Sequence, residues 1–465
     1  MKRKGQRSEQ TPSQLVSDYT IMLENGEIDF IKEDDWQSLI DYFVINNRLS
    51  DALEVSQKAI EQHNFSIELH INHARMLLAN EFYREAVLFV EEKSYLSPND
   101  PEFILVKAQG MLNLGEEDCC QELISSIKKD ADNDLLTDIL LTETDLYERA
   151  QEFDLMFDAL QNILLIHPDN TEALERIWLC TELSGRYEDS ILLHQKIIEN
   201  DSYSFQAWYN LGQAYFSMEQ YDQAADAFEY AYLINEDFEF AYRDRGESLL
   251  LLTHYELALN CYQEVKERFV PDADLYCKIG QCYAFLEQPE LAIDHFSVSL
   301  QMGNTTGEVH FHLGVCLVTL EKFIGAEQSL RKAVELEPER EEYHLALADL
   351  YFQQENYELA SISYQKAVDL APENYLIWCQ YAGFLLLTHG DEAAMEAIDE
   401  ALFYSDSAEL HYLKVVCMLS AGKRQEAIIN LMKLMDTYPE HADYVYEVMP
   451  DLKDDAEVTA IIAGL

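Results

Sequence analysis

The sequence predicts an all-α fold made of repeated helical hairpins, and three observations lead there. The stretch AWYNLGQAYFSMEQYDQAADAFEYA, residues 207–231, sets Trp208, Leu211 and Tyr215 at i, i+3 and i+7, and Ala224, Phe228 and Ala231 at i, i+4 and i+7. Two short helices follow, each with one apolar face. The pattern then returns at a step of 34 residues, from Gly212 to Gly246, Gly280, Gly314, Ala348 and Ala382. The same step carries Ala224 to Ala258, Ala292, Ala326, Ala360 and Ala394, and Phe228 to Tyr262, Phe296, Leu330, Tyr364 and Ile398. Finally, 16 Gly and 10 Pro in 465 residues leave few positions for sharp turns, while 48% apolar residues suffice for a continuous core.

The units follow in order from near Glu33, Ile67, Pro101, Thr137, Thr171, Phe205, Glu239, Ala273, Gly307, Glu341, Tyr375 and Ala408. Trp208 maps forward to Tyr242, Tyr276, His310, His344 and Trp378, and backward to Leu174 and Leu140. The register then needs two extra residues near Lys129 to Asn133 before it reaches Ile104, His70 and Trp36, and an inter-helix loop tolerates such an insertion. Units four and five are the weakest: Thr144 and Trp178 stand at the small-residue place, and Met156 and Ser190 replace the Ala. They read as a looser joint or a bend. SQLVSDYTIMLENG reads as a helix stopped by Gly26, and ADYVYEVMPDLKDDAEVTAIIAGL as one or two helices. The expected organisation is a basic tail and capping helix over 1–32, divergent repeats one to four over 33–170, repeats five to twelve over 171–440, and capping helices over 441–465.

A small residue lets the first helix approach the second closely, and a bulky side chain there should cost about 1–3 kcal/mol by overpacking. With aromatic, Leu-Gly, aromatic, Ala and aromatic places in this order, and Pro338, Pro372 and Pro439 closing their units, the chain resembles the tetratricopeptide repeat. The resemblance implies a right-handed superhelical solenoid of about twelve repeats, whose concave face is lined by the first helices. It also implies a non-catalytic scaffold that binds a protein or peptide in that groove. The alternatives are an assembly hub or spacer using the convex face or ends, or a non-catalytic subunit of an enzyme complex.

Carrying over the family's groove positions selects, in repeats six to nine, Tyr209, Gln213 and Phe216, then Phe240 and Arg243, then Asp274, Gln281 and Phe285, then Glu308 and Phe311. The rings would anchor an apolar guest, and the amide and acid groups would orient it. Phe216 and Leu250 occupy a position that also packs against the next unit. The Lys and Asn clamp by which some members of the family grip acidic tails is not matched, since Arg243 is the single cation at the fifth position, with Glu247 at i+4 expected to neutralise it.

Charge narrows the partner further. With 32 Lys plus Arg against 87 Asp plus Glu, a formal net charge of −55, the chain repels nucleic acid and anionic membranes and attracts basic guests. MKRKGQRSEQTPSQL has no apolar core after its basic residues, and no apolar run reaches the roughly 18 residues of a membrane span, so a cytoplasmic location is expected. Nine cysteines without paired spacing suggest reduced thiols, and Cys180, Cys282, Cys316 and Cys417 recur at the tenth place of their units as packing residues. His310 and His312 point about 200° apart on a helix, a poor arrangement for shared metal ligation. No metal, cofactor or catalytic constellation is nominated: the sequence lacks G-x-x-x-x-G-K, G-x-G-x-x-G, G-x-S-x-G and H-E-x-x-H.

Overall fold

A computed structural model describes residues 12–25 and 29–464, so the basic start of the chain and the Gly26 stop lie outside the described residues. Every regular element among the described residues is a helix, which makes the fold an all-α helical-repeat solenoid. The chain divides into two compact units, Met1–Glu236 and Asp237–Leu465.

The first unit holds α1 (Pro12–Asn25) and six hairpins. These are α2–α3 (Glu33–Ile45, Leu49–Gln62), α4–α5 (Ile67–Ala79, Tyr83–Lys93), α6–α7 (Pro101–Asn113, Glu117–Ile127), α8–α9 (Asn133–Ala150, Phe153–Ile166), α10–α11 (Thr171–Ser184, Tyr187–Asn200) and α12–α13 (Phe205–Ser217, Tyr221–Ile234). The second holds α14–α15 (Glu239–Leu251, Tyr255–Arg268), α16–α17 (Ala273–Phe285, Pro289–Gln301), α18–α19 (Gly307–Thr319, Phe323–Leu336), α20–α21 (Glu341–Gln353, Tyr357–Leu370), α22–α23 (Tyr375–Thr388, Asp391–Tyr404) and α24–α25 (Ala408–Ser420, Arg424–Thr437). Two short helices, α26 (Tyr444–Val448) and α27 (Ala456–Ile462), follow. Tyr19 of α1 is buried edge-on against Trp36, with ring centroids 5.7 Å apart. Val445 and Val458 are buried with Tyr412 and Leu431 in the core at the other end.

The first helix of each hairpin starts at the residue the 34-residue register selects, with one exception. The fourth begins at Asn133, not near Thr137, because the Asp132 carboxylate accepts from the Leu135 backbone N–H at 3.0 Å and caps the helix a turn earlier. The extra residues form a 3₁₀ turn at Lys128–Asp130.

Close approach at the small-residue place is visible in the distances. A Cβ on Gly212 would lie 2.6 Å from the Phe228 ring, on Gly246 2.7 Å from Tyr262, on Gly280 2.7 Å from Phe296, and on Gly314 2.6 Å from Leu330. Each glycine is therefore the floor on which the large side chain of the partner helix lies.

The turns between paired helices depart from the expectation of few sharp bends. Asn47, Glu81, Gln151, Glu219, Thr253, Glu287, Glu321 and Glu355 all take positive φ. In each sharp turn the left-handed residue lets the next N–H reach back five residues, as Gln220 does to the Tyr215 carbonyl at 2.9 Å. That hydrogen bond offsets a strain of about 1–2 kcal/mol in the non-glycine residue.

Of the two weak repeats, one packs normally and one does not. In hairpin four, α8 and α9 lie against each other, with Thr144 folding its hydroxyl onto the Leu140 carbonyl at 2.8 Å. In hairpin five, α10 packs on α9 and α11 on α12, while α10 and α11 barely meet. Trp178 is too bulky for the small-residue place, and His194 stands where its neighbours carry Phe228 or Tyr262. Asn210 of α12 fills the resulting gap, its Nδ2 donating to the Leu174 carbonyl at 2.7 Å and lying 3.3 Å from His194 Nε2. His194 Nδ1 donates to the Ser190 carbonyl at 2.7 Å, and burial lowers the His194 pKa to about 4.

Two measurements check this packing. Gly280→Val should lower unfolding stability by about 1–3 kcal/mol in urea denaturation, whereas Gly383→Ala, with nothing within 4 Å of an added Cβ, should be neutral or stabilise by up to about 1 kcal/mol; equal effects would contradict the glycine-floor account. His194 is neutral when folded and protonates more readily when unfolded, so its contribution is complete above about pH 6.5 and is lost as pH falls to about 4, on the order of 3 kcal/mol. The gap in stability between wild type and His194→Gln should therefore narrow across that window, and a gap independent of pH would refute the assignment.

Candidate functional site

The positions that the sequence selects lie on the first helices, some exposed, as Phe240 and Phe285 are, and some packed inward, as Gln281 and Cys277 are. In the first unit, α12 carries Tyr209, Gln213 and Phe216. The Gln213 amide donates to the Tyr209 hydroxyl at 2.7 Å, and Tyr209 lies tilted on Phe228 at 5.5 Å. Phe216 is half-buried, edge-on to Tyr221 at 5.4 Å. Its position thus serves packing as well as surface.

In the second unit the sequence-selected residues form two patches. Phe240 is 62% exposed at the start of α14, near Phe238 at 5.8 Å. One turn later Arg243 is fixed by carboxylates: Glu239 at 2.7 Å, both oxygens of Asp272 at 3.0 and 3.3 Å, and Asp274 at 3.9 Å. Burial alone would lower its pKa, but hydrogen bonds and charge from Glu239 and Asp272 outweigh that and raise it.

The expectation that Glu247 neutralises Arg243 is overturned. Helical side chains lean toward the N-terminus, which takes Arg243 back to Glu239 and across to Asp272. Glu247 instead binds Lys278 at 2.9 Å and accepts from the Tyr262 hydroxyl at 3.2 Å. Asp272 has a double role, because its carboxylate also accepts from the Leu275 N–H at 2.8 Å and caps α16. Lys278 was not selected by the groove positions, and only its partners reveal it. Burial works against its charge, yet Glu247, Glu308 and Asp274 raise its pKa.

The second patch joins α16 and α18. Gln281 is buried and donates to Glu308 at 2.6 Å, so its amide is committed within the chain. Asp274 is exposed, and its pKa is raised by partial burial and by Asp272 and Glu308 against the pull of Lys278 and Arg243. Phe285, 48% exposed, stacks on Tyr255 at 4.8 Å. Phe311 stacks on Tyr343 at 4.9 Å and meets His312 edge-on at 5.1 Å. His312 lies parallel to the Phe296 ring at 5.9 Å, in a packing role.

Seven of the nine cysteines are buried, and Cys119 and Cys379 are partly so. Burial pushes Cys180, Cys277, Cys282 and Cys417 up to about 12 and Cys120 and Cys316 up to about 11, so these thiols stay protonated at neutral pH. Cys277, at a groove position by sequence, is buried in the core with Phe296 and Val309. Among the described residues no cluster of three or more His, Cys, Asp or Glu could hold a metal ion, and no helix is long and apolar enough to cross a membrane.

Helical hairpins at a fixed step define an α-helical repeat protein. Family models of the tetratricopeptide repeat match residues 205–238 and 311–375. Among solved structures it is similar to a chain of the APC/C hetero-tetramer Cut9–Hcn1, at 14% identity over 88% of this chain and 94% of that one, with a TM-score of 0.45. It is also similar to YrrB, a tetratricopeptide-repeat protein with an unusual peptide-binding site, at 21% identity over 40% of this chain and 95% of that one and a TM-score of 0.33. A third is TTC0263, a thermophilic tetratricopeptide-repeat protein in Thermus thermophilus, at 24% identity, 39% and 100% coverage and a TM-score of 0.35.

Proposed function

We propose that the chain is a non-catalytic scaffold that docks a basic protein segment on the groove side of its first helices. The observation that carries this reading is the pairing of exposed rings with solvent-accessible acid: Phe240 and Phe285 offer apolar area, while Asp274 and Glu308 lie on the same first-helix positions of this unit. Arg243 and Gln281 are engaged within the chain and serve as struts for the surface. Tyr209, Gln213 and Phe216 form a second, separate group of contacts on the first unit. An acidic guest would have to displace Asp272 from Arg243 or Glu247 from Lys278, so the surface disfavours it. On this reading α1, α26 and α27 act as caps.

Native co-purification identifies the guest, and substitution locates it. Phe240→Ala with Phe285→Ala should weaken capture roughly tenfold or more. Binding should also weaken in about 1 M salt, where the screening length falls to about 3 Å. Capture unchanged by both would transfer the function to the convex face or the ends.

A further inference from the structure

On the side of α12 turned away from Tyr209 and Gln213, helices α11, α12 and α13 line an open cleft of about 380 Å³. Its volume falls within the roughly 300–1,000 Å³ of small-ligand sites. Trp208, Tyr215, Ala227 and Ile198 are among its lining residues, and Glu199 and Asp226 line it with one acidic side chain each from α11 and α13. The rings are held in place: the Trp208 indole N–H donates to the Ser202 carbonyl at 3.0 Å and the ring stacks on Tyr230 at 4.5 Å, while Gln195 donates to the Tyr215 hydroxyl at 2.9 Å.

The repeat supplies its own comparison. Two repeats on, Tyr276 and Tyr283 take the places of Trp208 and Tyr215, and there the chain fills the space itself. His295, at the Ala227 place, stacks on both rings at 5.8 and 5.3 Å, and the Lys266 ammonium, at the Ile198 place, lies 5.3 Å from the centre of Tyr276. Four repeats on, Arg331 takes the Gln195 place. Its guanidinium lies 5.9 Å from the centre of the Tyr351 ring, donates to the Tyr351 hydroxyl at 2.9 Å and pairs with Glu327 at 2.9 Å. At the cleft between hairpins five and six the same three places hold Ile198, Ala227 and Gln195, none of them charged. Neither Glu199 nor Asp226 has an ion-pair partner among the described residues.

We propose that this cleft receives the side chain of a lysine or arginine from a partner protein. The cation takes the place that Lys266 holds over Tyr276, on the Trp208 ring, with Tyr215, the counterpart of the Tyr351 ring that Arg331 covers, beside it and the Glu199 and Asp226 carboxylates within reach. The site is distinct from the groove-side surface and stands whether or not that surface binds a guest. Charge selects the occupant: a carboxylate or an uncharged alkyl chain would leave the two acids uncompensated in a chain of net charge −55.

The test uses the full chain with 5-fluorotryptophan at its four Trp positions, the Trp208 ¹⁹F resonance being assigned with Trp208→Phe. It is titrated with the N-acetyl, N′-methylamide derivatives of arginine, lysine and norleucine. Arginine and lysine should shift the Trp208 resonance saturably, with norleucine about fivefold weaker or inert. Glu199→Gln with Asp226→Asn should weaken the charged ligands by about fivefold. Gln195→Arg, an exposed-face change that copies Arg331, should fill the cleft and abolish their effect. An equal response to norleucine, no saturable shift at Trp208, or undiminished binding by Gln195→Arg would each overturn the proposal.

Discussion

The structure depends on how closely the two helices of a hairpin approach at one point. Where Gly212, Gly246, Gly280 or Gly314 meets Phe228, Tyr262, Phe296 or Leu330, the large side chain lies flat on bare backbone and the hairpin closes. Closure fixes the rotation of the first helix about its axis. One stripe is consumed against the second helix, and the positions of Phe240, Asp274 and Glu308 are left facing outward. The solvent-facing stripe is therefore a by-product of packing: no residue needs to be placed there for it to exist, and its chemistry is free to vary from repeat to repeat. Hairpin five shows the converse. With Trp178 and His194 at the contact point, α10 and α11 part, and Asn210 enters as a polar filler.

Much of this was legible in the sequence because the signal is repeated. A single apolar stripe leaves helix boundaries uncertain by several residues, but a phase shared by twelve units is fixed by its strongest members, and the weak ones inherit it. Hairpin four escaped by one turn because its boundary is set locally, by the Asp132 cap. The turns were not legible, since glutamate at 219, 287, 321 and 355 carries no sign of a left-handed conformation. Nor did the weakness of two repeats say which would splay: Thr144 can fold its hydroxyl onto its own helix and remain small, whereas Trp178 cannot.

The exposure of several candidate residues was legible in the sequence, and their interactions were not. The family's groove positions selected Phe240 and Phe285, and both are exposed. They could not assign Arg243 to Asp272, because that partner lies 29 residues away on a different helix, and a sequence rule for charge pairs sees only neighbours on one helix face. Cys277 shows the same limit from the opposite direction, as a groove position by count that sits in the core.

The charge imbalance organises what remains. Cations are scarce, and several of those described are bracketed: Arg176 by Asp145, Glu148 and Glu172, Arg424 by Asp455 and Glu457, Arg243 by Glu239 and Asp272. Each bracket ties adjacent helices together, a use of charge that leaves the cation unavailable to a guest. Carboxylates outnumber cations by 87 to 32, so most must remain solvated and unmatched. Their mutual repulsion opposes the compact state and is relieved by any bound cation. Basic partners thus gain twice, from the local contact and from the lowered self-repulsion of the host, and the second gain does not depend on which surface they occupy. Ring geometry must supply the discrimination that bulk charge cannot, which is why, on the proposed reading, the positions that hold aromatic side chains open to solvent decide where a basic segment comes to rest.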